Sequence, residues 1–108
     1  MVNKDFPKIV CLCGSVRYWD EFTFWRKRLS IGGHIVVGPE FQIPKEQADN
    51  PSSQTYQVKK NLDKLHLRKI DISDVVLVLN KDGYIGDSTK NEIKYAESIG
   101  KTIKYLED

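Results

Sequence analysis

The chain has 108 residues, 40% hydrophobic and 30% charged, which fits one small globular domain that buries roughly 60 to 70% of its unfolded surface. Seventeen Lys and Arg against fifteen Asp and Glu give a formal charge of +2, far below the one-sided basicity of a protein that grips duplex nucleic acid by its phosphates. The opening MVNKDFPKIVCLCG has only a short apolar run, broken by Lys and Pro; neither a signal-peptide core nor a membrane span is expected in it, and the chain reads as cytoplasmic.

In chain order, KIVCLC (8–13) reads as the first strand. Cys11 and Cys13 flank Leu12 within it. With no second cysteine pair and no nearby His to complete a metal site, they are expected as small core residues. In CGSVR, Gly14 permits a tight turn, Ser15 offers a hydroxyl and backbone N–H groups at a helix start, and Arg17 adds a fixed positive charge. That set suits a phosphate, but it equally suits an ordinary N-cap beside a surface arginine. Over residues 17–31, Tyr18, Phe22, Trp25 and Leu29 form one apolar stripe at helical spacing, and Gly32 and Gly33 end the helix. Trp19, Phe24 and Ile31 lie off that stripe. HIVVG (34–38) is the second strand, and the stretch 39–56 is too long for a plain connection, so a lid, a partly helical insert or a loop is expected. A second helix is predicted over 57–70, with Val58, Leu62 and Leu65 on its inner face and Leu67 and Ile70 away from it. DVVLVLN (74–80) contains the unbroken apolar run of a parallel strand covered on both faces. The third helix, 88–99, ends at Gly100, and KTIKYL (101–106) is the last strand.

This order, βαβαβαβ, predicts an α/β fold: a small doubly wound, flavodoxin/Rossmann-like parallel sheet of four strands in order 2-1-3-4 with three helices. A ligand then belongs beyond the carboxyl ends of strands 1 and 3, where the chain order reverses. The segment DGYIGDSTKNEIKYA (82–96) reaches that place too. On its helix Thr89, Glu92, Ile93, Ala96 and Ile99 share one inward arc. A buried ionised carboxylate is unusual there unless it borders a polar cavity, and the nearby helix dipole favours its charged form. Such a group suits a nucleophile or a counter-charge for a developing cation. Equally open is a structural role, in which Glu92 closes a capping box with Ser88 or Thr89 or pairs with a lysine. GYIG spells neither a dinucleotide fingerprint nor a Walker loop, so no cofactor is expected, and no metal.

CGSVR after the first strand, SDVVLVLN as the third, and a Gly-containing loop leading into E-I-x-Y-A together resemble the nucleoside 2-deoxyribosyltransferase-like family. The resemblance covers most of the chain and extends to the branch of 2′-deoxynucleoside 5′-monophosphate N-glycosidases. It implies that Glu92 attacks or stabilises the anomeric carbon of deoxyribose, and that Ser15 and Arg17, beside Gly14, hold the 5′-phosphate. The loop of Tyr84, Gly86, Asp87 and Ser88 would complete the substrate site. Two departures stand out. The family's first-strand tyrosine aligns with Cys11, which has no phenolic hydroxyl, leaving Tyr84 as a candidate substitute. The family's catalytic aspartate aligns with His66, with Asp63 three residues earlier, so either is a candidate general acid. The implied partner is a small nucleotide or nucleoside, with no duplex nucleic acid and no membrane. The off-stripe apolar residues of the first two helices, and the family's habit of completing sites across subunits, predict a homodimer. The altered positions also admit a non-catalytic module that binds a nucleotide or an ADP-ribose-like ligand.

Overall fold

The computed structural model describes residues 7–42, 50–51 and 54–107. Four strands, β1 (Ile9–Cys13), β2 (Ile35–Val37), β3 (Val75–Val78) and β4 (Thr102–Tyr105), form one parallel sheet in the order β2-β1-β3-β4. Among the described residues three helices connect them, α1 (Trp19–Ile31), α2 (Gln54–Ile72) and α3 (Asp87–Ser98). This is the expected α/β architecture. Among the described residues no helix is long and apolar enough to cross a membrane.

Alternation along the strands sorts the core into two layers. Val10, Leu12 and Leu79 pack with Phe22 of α1 on one face, while Cys11, Cys13, Val76 and Val78 meet Ile70 of α2 and Ile93 and Ala96 of α3 on the other. One helix thus covers the first face and two cover the second. The last strand is suited to this imbalance. Ile103, level with Val76, packs on the two-helix side, whereas Thr102 and Lys104, level with Val75 and Leu77, are exposed on the side that α1 does not reach.

Three expectations about helix faces need correction. Ile70 is fully buried and Leu67 packs against the core, while Val58 and Leu65 are 43% and 48% exposed. The inner stripe of α2 is therefore turned from the predicted one, because only its C-terminal half lies on the core and its N-terminal half borders a cleft. Trp19 packs against the core beside Phe22, at 5.5 Å between ring centroids, rather than standing clear of it. Ile99 caps the end of α3 and is exposed, not inward. Phe24 and Ile31, in contrast, do project into solvent, at 53% and 77% exposure.

The carboxyl edge of the sheet is tightly drawn. A Cβ on Gly14 would lie 3.1 Å from the Leu79 carbonyl oxygen and 3.2 Å from the Leu79 Cβ, so the turn after β1 needs a residue without a side chain to sit beside β3. Past β4 the pairing is prolonged by a side chain. The buried Asn80 amide donates to the Glu107 carbonyl at 2.7 Å and accepts the Glu107 N–H at 2.9 Å. The Glu107 carboxylate in turn accepts the Asp82 N–H at 2.7 Å.

Candidate active site

A cleft of about 490 Å³ opens beyond the carboxyl ends of β1 and β3, where this topology places ligands. Gly14 and Ser15, Asp63 and His66 of α2, Tyr84 and Gly86 in the loop before α3, and Asp87, Ser88 and Glu92 of α3 all line it. Arg17 does not. Its guanidinium lies over the Tyr84 ring, 4.1 Å from the centroid, and Tyr84 also meets Tyr18 edge to face. A Cβ on Gly86 would come within 3.3 Å of the Tyr84 hydroxyl, so the glycine leaves room for that phenol at the rim. Ser15 accepts the Arg17 N–H at 3.3 Å and so caps the 3₁₀ turn Val16–Tyr18 that leads into α1. Its N-cap role is realised, and the residue also lines the cleft.

Glu92 is the deepest carboxylate. The N-cap of α3 is Gly86, with no side-chain capping hydrogen bond, so Glu92 closes no capping box. Its partner is also not a lysine: Oε1 lies 3.6 Å from His66 Nε2, with the two side chains 19% and 8% exposed. The expected help from the helix dipole does not prevail. Glu92 sits beyond the first turn, where that field has faded, and burial lifts its carboxyl above the ordinary value against the opposing His66 charge. For His66, burial alone would depress the imidazole. The hydrogen bond with Cys11 and the charges of Glu92 and Cys11 outweigh it, and the histidine is held above its usual value.

The cysteines are core residues, as expected, but the expectation that no histidine stands near them is wrong. His66 Nε2 lies 3.2 Å from Cys13 Sγ and 3.9 Å from Cys11 Sγ. The two thiols face the same way because they are two apart on a strand, and α2 crosses directly above them. They titrate in opposite senses. The hydrogen bond with Cys13 brings Cys11 down to about 6, while that same bond, burial and the charges of Cys11 and Glu92 push Cys13 up.

Asp63 is exposed and paired with Lys59, at 2.9 Å, so its carboxylate is engaged along its own helix rather than with Glu92 or His66. Lys59 and Lys69 both line the cleft, and the sequence reading missed them. Lys69 donates to the Gly38 carbonyl at 2.6 Å, fixing the end of β2 against α2. Lys59, Asp63, His66 and Lys69 recur at helical spacing on one face, a polar stripe whose signal lies in the spacing of the polar residues. Across the cleft stand Pro39, Glu40 and Phe41. Arg26 holds this wall through the Pro39 carbonyl at 2.6 Å and the Glu40 carboxylate at 3.3 Å. The long 39–56 stretch therefore begins as a cleft wall and ends, from Gln54, as helix; residues 43–49 and 52–53 of it lie outside the described residues.

Compared with known proteins, the chain matches no family model and no curated sequence.

Proposed function

We propose that this chain acts at the N-glycosidic bond of a deoxynucleoside or nucleoside 5′-monophosphate, by hydrolysis or transfer, with Glu92 working at C1′. The observation that carries this reading is a carboxylate at the floor of a nucleotide-sized cleft, backed by an imidazole at 3.6 Å. In the first step a Glu92 oxygen bonds to C1′ as the C1′–N bond breaks, and the base departs with the electron pair and takes up a proton. In the second, water or another base bonds to C1′, loses its proton, and frees the carboxylate. His66, held above its usual pKa, is the proton source that best fits. Ser15 and the start of α1 would meet the 5′-phosphate, with Arg17 turning from the Tyr84 ring to join it. The setting is cytoplasmic nucleotide metabolism. The likeness to the nucleoside 2-deoxyribosyltransferase-like family supports the same reading.

A homodimer belongs to this proposal, its clefts near the shared face, on the strength of Phe24 and Ile31 exposed on α1 and Val58 and Leu65 exposed on α2. One observation favours a second reading. His66 Nε2 is already surrounded by two thiols and Glu92, an arrangement that suits holding a nucleotide or an ADP-ribose-like ligand without breaking it. Purified protein incubated with a panel of nucleosides and nucleoside monophosphates, with free base measured alongside calorimetric binding, separates the two. Base release supports the glycosidic reading, binding without release supports the binding module, and neither result would leave no role for a nucleotide.

A further inference from the structure

We infer that Cys11, Cys13 and His66 form a binding site for a thiophilic divalent ion of the zinc class at the floor of the cleft, with the fourth position turned toward Glu92. The two Sγ atoms and a ring nitrogen lie within 4.8 Å of one another, and the sulfur–nitrogen separations are 3.2 and 3.9 Å. Around a tetrahedral zinc with Zn–S of about 2.3 Å and Zn–N of about 2.0 to 2.1 Å, neighbouring sulfur and nitrogen atoms stand roughly 3.5 Å apart. Two edges of the ligand triangle thus already lie near the required length, and the third, sulfur to sulfur, is within 4.8 Å.

The donor set selects the metal class. Two thiols and an imidazole favour zinc, cobalt or other thiophilic ions over magnesium or calcium, which take oxygen ligands. Three protein ligands with one open position is the arrangement of a catalytic rather than a closed structural zinc site. The open position also has an access route. His66 and Glu92 line the cleft while the thiols lie behind them, so an ion entering from solvent reaches the imidazole first and the sulfurs last. On binding, the three ligands are left as two thiolates and a neutral imidazole, any protons they carried pass to solvent, and the two thiolates balance the charge of the ion. Glu92, 3.6 Å from the ligating nitrogen, either fills the fourth position or bonds to a water there. Ion binding does not depend on the glycosidic reading; if that reading holds, an ion drawing on Glu92 and His66 competes with attack at C1′.

Cobalt(II) is the direct probe. Full-length protein, reduced, stripped with a chelator and kept anaerobic, is titrated with Co²⁺ and then with Zn²⁺. The expected result is near-ultraviolet thiolate-to-cobalt charge-transfer absorption with intense visible bands of a four-coordinate ion, saturating at one ion per chain and abolished by an equivalent of Zn²⁺. Cys11→Ser and Cys13→Ser should each weaken cobalt binding by about 100-fold or more. Wild-type protein that shows no charge-transfer absorption at millimolar Co²⁺ overturns the inference without recourse to a variant, as does binding undiminished in folded forms of both serine variants. Because the reading is a spectrum, it is blind to whether any base is released.

Discussion

Glu92 illustrates how a single position can be read from sequence while its chemistry cannot. Its place on the inward arc of α3 is visible from spacing alone, but its partner is set by a histidine on another helix and thiols more than fifty positions away from that histidine. No local pattern carries a contact of that range, which is why the cysteines read as inert core. Glu92→Gln should reduce base release by roughly 10²- to 10⁴-fold, with nucleotide affinity nearly unchanged, because shape survives and charge does not. Its melting temperature should not fall, since the substitution removes a carboxylate that burial disfavours in its charged form. The pH profile follows from the same pair in metal-free protein. The nucleophile must be ionised and its value is raised, so the rate climbs with pH through a limb above the ordinary 4.5. The acid must be protonated and its value is also raised, so the rate falls again above the ordinary 6.5. His66→Gln should erase the alkaline limb, whereas Asp63→Asn, already tied to Lys59, should leave it; a profile unmoved by either would send the search for the acid to Tyr84 and Asp87. At the rim, Arg17→Ala should weaken binding of a nucleoside monophosphate by about 1 to 3 kcal/mol and spare the free nucleoside. Equal loss for both would assign Arg17 to holding Tyr84 instead.

Among the elements, α2 separates what pattern reveals from what it hides. The strands and the topology were legible because unbroken apolar runs bounded by glycine and polar residues have one economical arrangement, and β3 is the plainest case. The face of α2 was not. Its apolar residues are divided between a buried end and a cleft-side end, so choosing the most hydrophobic stripe selects Val58 and Leu65, which are exposed, and rejects Ile70, which is not. Ile70→Ala should cost about 2 to 5 kcal/mol in denaturant unfolding, while Leu65→Ala should stay within about 1 kcal/mol. The reverse order would restore the face expected from sequence. Trp19 shows the same limit on α1, where a broad ring reaches the core from outside the nominal stripe.

For the whole molecule, the polar flank formed by Thr102 and Lys104 means that edge of the sheet needs no helical cover, and the exposed apolar residues that α1 and α2 carry, Phe24, Ile31, Val58 and Leu65, are what call for a partner. Light scattering across a concentration series should show a dimer at tens of micromolar, an expectation that a monomer would end. Phe24→Asp should split that dimer and weaken nucleotide binding together. On α2, Leu67 packs inward, so a charge at the exposed Leu65 is the second probe. The Asn80–Glu107 pairing has a practical consequence at this scale. Tension applied beyond residue 107 passes straight into Asn80 and the Asp82 amide, and these bonds would give way before β4 is drawn from β3. Their release loosens the 81–86 segment that carries Tyr84 and Gly86 at the cleft rim. A pulling tether attached beyond residue 107 is therefore mechanically a load on the cleft.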